Sequence, residues 1–184
     1  MSKAVFIDRD GTLNEVVNYL NDPDKFALIK GSLEALKLLT KDGYRIILVT
    51  NQAGLSKGKI TLKQLDAIHS RMQRILLRNG IALASEEIFF CPHKSEDNCE
   101  CRKPNLKNFM DAKERFKIDA SKSYVIGDKT SDIEAGKRGG YKTILVKTGY
   151  GGSDAKFTAI PSHVAKDLLD AAKFIIGRGA RTNV

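Results

Sequence analysis

Five short apolar runs, over residues 3–8, 45–51, 86–91, 123–128 and 142–148, each end in polar or glycine residues and alternate with stretches of helical periodicity. That alternation leaves few folds open. A continuous apolar run reads as a strand buried on both faces, the habit of a parallel sheet covered by helices. The intervening stretches are Ser32–Lys41, with Leu33, Leu36 and Leu39 on one face, then Thr61–Arg78, Asn105–Phe116, Ser131–Arg138 and Ser162–Ile176. Strand and helix in turn predict an α/β fold, a doubly wound parallel sheet with flanking helices and no large cap domain. Polar motifs directly follow several of the strands, at the carboxyl ends where open α/β sheets bind ligands.

A chain of 184 residues with 42% hydrophobic content can bury one substantial core, which predicts a single domain over residues 1–176. The last segment, Gly177–Val184, lacks an apolar anchor and reads as a mobile tail. No apolar run approaches the roughly 18 to 20 residues that cross a bilayer, and Ala4–Ile7 is too short for a signal-peptide core. A cytoplasmic protein without a membrane partner is expected. The net charge of +9 is scattered along the chain, which suits anionic ligands in general, and the plainer reading is a lysine-rich solvated surface. Without an interleaved basic and aromatic strip, no specific nucleic acid is expected. The simplest assembly is a monomer.

The segment Val5–Thr12 places Asp8 and Asp10 two residues apart at the end of the first apolar run. Residues i and i+2 of an extended chain point the same way, so both carboxylates can enter one cleft, one to attack phosphorus and one to handle a proton. An Asp-rich turn after a strand is the bland alternative. After the second run, Thr50, Asn51, Gln52 and Ala53 offer a hydroxyl, carboxamides and backbone N–H groups suited to phosphoryl oxygens, although Thr and Asn also close strands as ordinary turn formers.

Cys91-Pro-His93, five further residues, and Cys99-Glu-Cys101 supply three sulfurs and an imidazole in eleven residues. In a reducing compartment that set matches a closed tetrahedral zinc site better than disulfides, and a closed site is structural. Arg102 and Lys103 follow at once, so a metal-pinned loop would hold two cations near the cleft, Lys103 to neutralise a transferring phosphoryl group and Arg102 to grip a second anion. Asp128 ends the fourth run beside Lys129 and, with Asp8 and a backbone carbonyl, would make the hard oxygen set that Mg²⁺ prefers. Asp132 reads equally as a helix cap and as a group supporting the site from behind. His69 and His163 read as surface or packing residues.

Taken together, DRDGT, VTNQAG, CRKP and GDKTSD resemble the haloacid dehalogenase superfamily of phosphatases. The cysteine and histidine set, with no cap-sized insertion, is similar to the zinc-containing branch that holds heptose bisphosphate and histidinol phosphatases. The resemblance covers residues 3 to about 176. It implies that Asp8 forms an aspartyl phosphate, that Asp10 protonates the leaving oxygen and then activates water, and that Thr50 and Lys103 stabilise the phosphoryl oxygens. It further implies Mg²⁺ on Asp8, the Asp10 carbonyl and Asp128, with Lys129 beside it. Gly54–Lys59, Lys129 and Tyr19 favour the heptose group, where the loop Val16, Val17, Asn18 and Tyr19 would touch the sugar. The implied reaction is removal of the 7-phosphate of D-glycero-D-manno-heptose 1,7-bisphosphate, a small phosphorylated sugar, on the way to nucleotide-activated heptose for lipopolysaccharide or surface glycan. Histidinol phosphate is the alternative substrate, and a non-catalytic phosphosugar-binding protein a distant one.

Overall fold

Strand β1 (Ala4–Ile7) is buried at every position, and its side chains divide between two cores: Val5 and Ile7 on one face, Ala4 and Phe6 on the other. The structure, a computed structural model, describes residues 1–181. Around β1 stand β2 (Arg45–Asn51), β3 (Ile88–Cys91), β4 (Tyr124–Gly127), β5 (Lys142–Val146) and β6 (His163–Ala165). They form one sheet in the order β3-β2-β1-β4-β5-β6, parallel throughout, as the buried apolar runs require. Helices α1 (Ser32–Lys41), α2 (Leu62–Arg78) and α5 (Leu168–Arg181) cover the Val5 face, and α3 (Lys107–Phe116) and α4 (Thr130–Arg138) the Phe6 face.

Local chemistry sets the boundaries. Helix α2 begins where the Thr61 hydroxyl accepts from the Gln64 N–H at 3.2 Å while Gln64 Oε1 accepts from the Thr61 N–H at 2.8 Å, satisfying two otherwise orphan donors. The helix expected over Ser162–Ile176 divides in two. His163–Ala165 pairs with Ile144–Val146 as β6, aided by reciprocal backbone-to-hydroxyl bonds between Thr143 and Ser162 of 3.1 and 3.2 Å. The helix starts only at Leu168, after Asp167 caps the Asp170 N–H at 2.8 Å. The expected tail also differs: α5 continues through Arg181, because a helix already anchored by Leu168, Ala171, Ala172 and Ile175 extends one hydrogen bond at a time. Residues 182–184 lie outside the described residues. Among the described residues no helix is long and apolar enough to cross a membrane.

Candidate active site and metal centre

The strand order reverses at β1, with β2 on one side and β4 on the other, so the carboxyl ends of these strands frame the crevice where such sheets bind ligands. Asp8 follows β1 and donates its N–H to the Ile126 carbonyl at 3.0 Å, which seats it beside β4. Thr50 is the next-to-last residue of β2, and Asp128 directly follows β4. A cavity of about 570 Å³ opens over these ends, lined by Asp8, Asp10, Thr50, Asn51, Arg102, Lys103, Lys129 and Asp132 among others.

Lys103 reaches this floor from the loop after the cysteines. Asn51 holds its backbone, accepting from the Lys103 N–H at 3.1 Å and donating to the Lys103 carbonyl at 3.3 Å. The buried ammonium then meets Asp8 Oδ1 at 2.7 Å, Asp132 Oδ1 at 2.7 Å and the Val49 carbonyl at 2.6 Å. Burial alone would favour the neutral amine, but Asp132 and Asp8 outweigh it and raise the Lys103 pKa, so the group is a cation. Asp132 uses both carboxylate oxygens. One oxygen pairs with Lys103, and the other accepts from the Lys129 N–H at 3.1 Å at the head of α4.

Oxygens of Asp8, Asp128 and Asp132 lie within 4.8 Å of one another, all three residues buried. Asp128 Oδ2 accepts from the Tyr150 N–H at 2.8 Å, whereas Oδ1 is buried with no hydrogen-bond partner among the described residues. The nearest cation recorded for it, Lys129 Nζ, stands 4.0 Å away. Burial and then the charge of Asp8 push the Asp128 carboxyl up to about 7. A bare carboxylate oxygen amid surplus negative charge fits a hard divalent cation. The backbone is shaped around it, because Gly11 at φ +92° and Gly149 at φ +58° pack on this carboxylate where any Cβ would collide with it.

Asp10 is held differently. Its carboxylate accepts from Arg9 Nε and Nη2 at 2.8 to 3.1 Å, from Asn14 Nδ2 at 3.0 Å and from Gln52 Nε2 at 2.8 Å. Burial works to raise this carboxyl, yet the Arg9 charge and the donors together hold it below the usual carboxylate range. Gln52 Nε2 also donates to Thr50 Oγ1 at 2.9 Å, which frees the threonine O–H for a ligand. Such a set can support attack by one carboxylate, proton handling by another and charge neutralisation by a lysine.

The sulfurs of Cys91, Cys99 and Cys101 and Nδ1 of His93 converge, with neighbouring separations of 3.3 to 3.7 Å. Tetrahedral zinc with Zn–S of about 2.3 Å and Zn–N of about 2.0–2.1 Å has ligand-to-ligand edges of about 3.6–3.8 Å, so the four atoms could hold one metal ion. Asn105 and Asn108 donate to the Cys99 and Cys101 carbonyls at 2.7 and 3.3 Å and tie this loop to the start of α3. Arg102 donates to the His93 carbonyl at 3.0 Å and lines the cavity from the same loop.

The remaining expected residues lie elsewhere. Val16, Val17, Asn18, Tyr19, Gln52 and Ala53 do not line the cavity; Val17 packs on the core and Tyr19 lies against Gly54, with Lys57 Nζ 3.4 Å from its hydroxyl. Two groups escaped the sequence reading. One is the wall formed by Tyr150, Asp154, Lys156 and Phe157, fastened to α4 by Asp154, which accepts from the Thr130 N–H and hydroxyl at 2.8 Å each. The other is buried Arg9 with His69 beneath Asp10, a grouping no sequence spacing announces. His69 is thus a buried polar residue, and its place four residues after Leu65 in the inward stripe of α2 was the available signal.

Known proteins resemble this chain in sequence and fold. A hydrolase family model described as HAD-hydrolase-like matches residues 100–171. The D-glycero-beta-D-manno-heptose-1,7-bisphosphate 7-phosphatase of Pasteurella multocida is 38% identical over 185 residues, covering 96% of this chain and 98% of that protein. The D-glycero-D-manno-heptose-1,7-bisphosphate 7-phosphatase of Chlorobaculum tepidum is 33% identical over 193 residues, covering 96% of each. Among solved structures, the D,D-heptose 1,7-bisphosphate phosphatase of B. bronchiseptica, complexed with magnesium and phosphate, matches with a TM-score of 0.87 and 32% identity over 96% of this chain and 99% of that one.

Proposed function

We infer the reaction from one premise: this chain belongs to the heptose-1,7-bisphosphate 7-phosphatase family of HAD-like hydrolases. It is a phosphomonoester hydrolase that removes the 7-phosphate of D-glycero-D-manno-heptose 1,7-bisphosphate, and residues 1–176 act as one phosphatase domain. The observation that carries this reading is the ammonium of Lys103, buried between Asp8 and Asp132 beside the bare oxygen of Asp128 at the cavity floor. Those groups supply positive and negative charge where a phosphoryl group meets a carboxylate nucleophile.

Lys103 occupies Asp8 Oδ1, leaving the other oxygen to attack phosphorus and form an aspartyl phosphate. Asp10 gives a proton to the departing sugar oxygen. Arg9 favours the ionised form in the free site; a phosphate dianion bound beside Asp10 offsets that charge and lets the carboxyl carry the proton, and once ionised by the transfer Asp10 is the base for the water that cleaves the acyl phosphate. Thr50 donates its hydroxyl to a phosphoryl oxygen. Asp8, the Asp10 carbonyl and Asp128 would hold Mg²⁺, which supplies Lewis-acid stabilisation of the phosphoryl charge. Arg102, together with Lys129, grips the phosphate that is retained, and Asn51 keeps Lys103 in register. Gln52 acts from behind the cavity by holding Asp10 and Thr50, while Val16–Tyr19 and Ala53 meet the sugar beyond the rim.

The test is phosphate release with Mg²⁺ from heptose 1,7-bisphosphate and from histidinol phosphate, side by side. A preference of about a hundredfold or more in kcat/KM for the bisphosphate is expected, because the second phosphate makes charge-assisted contacts with Arg102 and Lys129 that histidinol phosphate cannot make. The reverse preference would assign the enzyme to histidinol phosphate, and no release from either would overturn the phosphatase reading.

Zinc on Cys91, His93, Cys99 and Cys101 is structural in this scheme, since all four positions come from protein. Metal analysis is expected to return one zinc per chain, and Cys99→Ser to lose it together with about 10- to 100-fold of activity as Arg102 and Lys103 lose their support. A zinc-free protein with unchanged turnover and melting would remove zinc from the account.

A further inference from the structure

We propose that His69 is a positioning residue for this reaction: its Nε2 accepts a hydrogen bond from the buried guanidinium of Arg9 and so fixes the fork with which Arg9 holds the Asp10 carboxylate. The inference rests on the reading of Asp10 as proton donor to the leaving oxygen.

Arg9 is 1% exposed, and its charge has two neighbours in the interior. Nε and Nη2 meet the Asp10 carboxylate on one side, while Nη1 lies 3.2 Å from His69 Nε2 on the other. Arginine only donates, so Nε2 must carry the lone pair and the imidazole must be neutral with its hydrogen on Nδ1. The surroundings agree: burial and the Arg9 charge bring the histidine down to about 4, well below neutral pH.

His69 stands in the inward stripe of α2, between Leu65 and Met72, and its ring meets Phe90 with centroids 6.1 Å apart. Packing alone would be served as well by an apolar residue. Such a residue would leave Arg9 Nη1 buried without an acceptor. The guanidinium is planar and its donors are fixed relative to one another, so a turn made to find another acceptor moves Nε and Nη2 with it. That turn re-aims the Asp10 oxygens, whose side chain is 22% exposed toward the cavity. His69 does not line the cavity and its polar contact is with Arg9, so its effect passes through Arg9.

His69→Phe keeps ring bulk and removes the acceptor; His69→Gln keeps an acceptor. The readout is kcat/KM, which reports steps through formation of the aspartyl phosphate, with two leaving groups. The sugar oxygen needs a proton as it departs, and the activated aryl oxygen of p-nitrophenyl phosphate does not. For His69→Phe, kcat/KM on heptose 1,7-bisphosphate is expected to fall about tenfold and on p-nitrophenyl phosphate less than about twofold, with His69→Gln within about threefold of the parent on both. An equal fall on both substrates, no fall, or a glutamine variant no better than phenylalanine overturns the proposal. Long-range ¹⁵N NMR of the unsubstituted protein reads the ring independently of folding in the variants and of turnover. A hydrogen on Nε2 overturns the proposal even if His69→Phe does not fold. A parent protein inactive on both substrates would instead defeat the phosphatase reading on which the inference stands, and the inference with it.

Discussion

Asp8→Asn is expected to abolish phosphate release, by about 10⁴-fold or more, while the protein stays folded. The size follows from removing a covalent nucleophile, which takes with it what the other groups contribute in concert. Uncatalysed phosphate monoester hydrolysis demands up to roughly 10²¹-fold acceleration, so no remaining carboxylate can substitute. The fold should survive, because the amide oxygen of asparagine still accepts from Lys103, whose charge keeps Asp132 as its partner. One negative charge fewer also relieves Asp128, whose carboxyl is pushed up in part by Asp8. Stability equal to or slightly above the parent is therefore expected in denaturant titrations. Acid-quenched parent protein should carry phosphate on Asp8, and the variant none; turnover within a hundredfold of the parent would exclude Asp8 as nucleophile.

The carboxylates were legible in the sequence because parallel strands deliver whatever follows them to one edge of the sheet. Asp8, Thr50 and Asp128 need only the strand assignment to be brought together. The cysteine set was legible for a related reason, since eleven residues of chain cannot separate four ligands far. What depends on packing was not legible. Arg9 stands between the two aspartates in the chain, and its side chain turns inward to His69, sixty residues away in sequence. The wall of Tyr150, Asp154, Lys156 and Phe157 comes from a stretch without periodicity and is held by Asp154, Lys156 and Phe157 on Thr130 and by Tyr150 on Asp128. Strand β6 was hidden in a helical reading because three residues carry no period of their own; their pairing with β5 makes them a strand.

Lys103→Met should damage both stability and rate, and the two losses can be separated. The ammonium serves two carboxylates and a carbonyl in a buried place. Removing one member of a buried charge set costs about 3–5 kcal/mol, chiefly because the partners stay buried and uncompensated. Turnover should fall by a further 10²–10³, about the effect of losing one preorganised electrostatic contact to a transition state. Adding Asp132→Asn removes one of the stranded charges, so the double variant should regain much of the stability and none of the rate. Equilibrium denaturation and phosphate release on the three proteins decide between roles. Recovery of both properties in the double variant would make Lys103 a structural counter-ion. Recovery of stability alone would place its charge on the phosphoryl group, since nothing else in the cavity floor changes between the two.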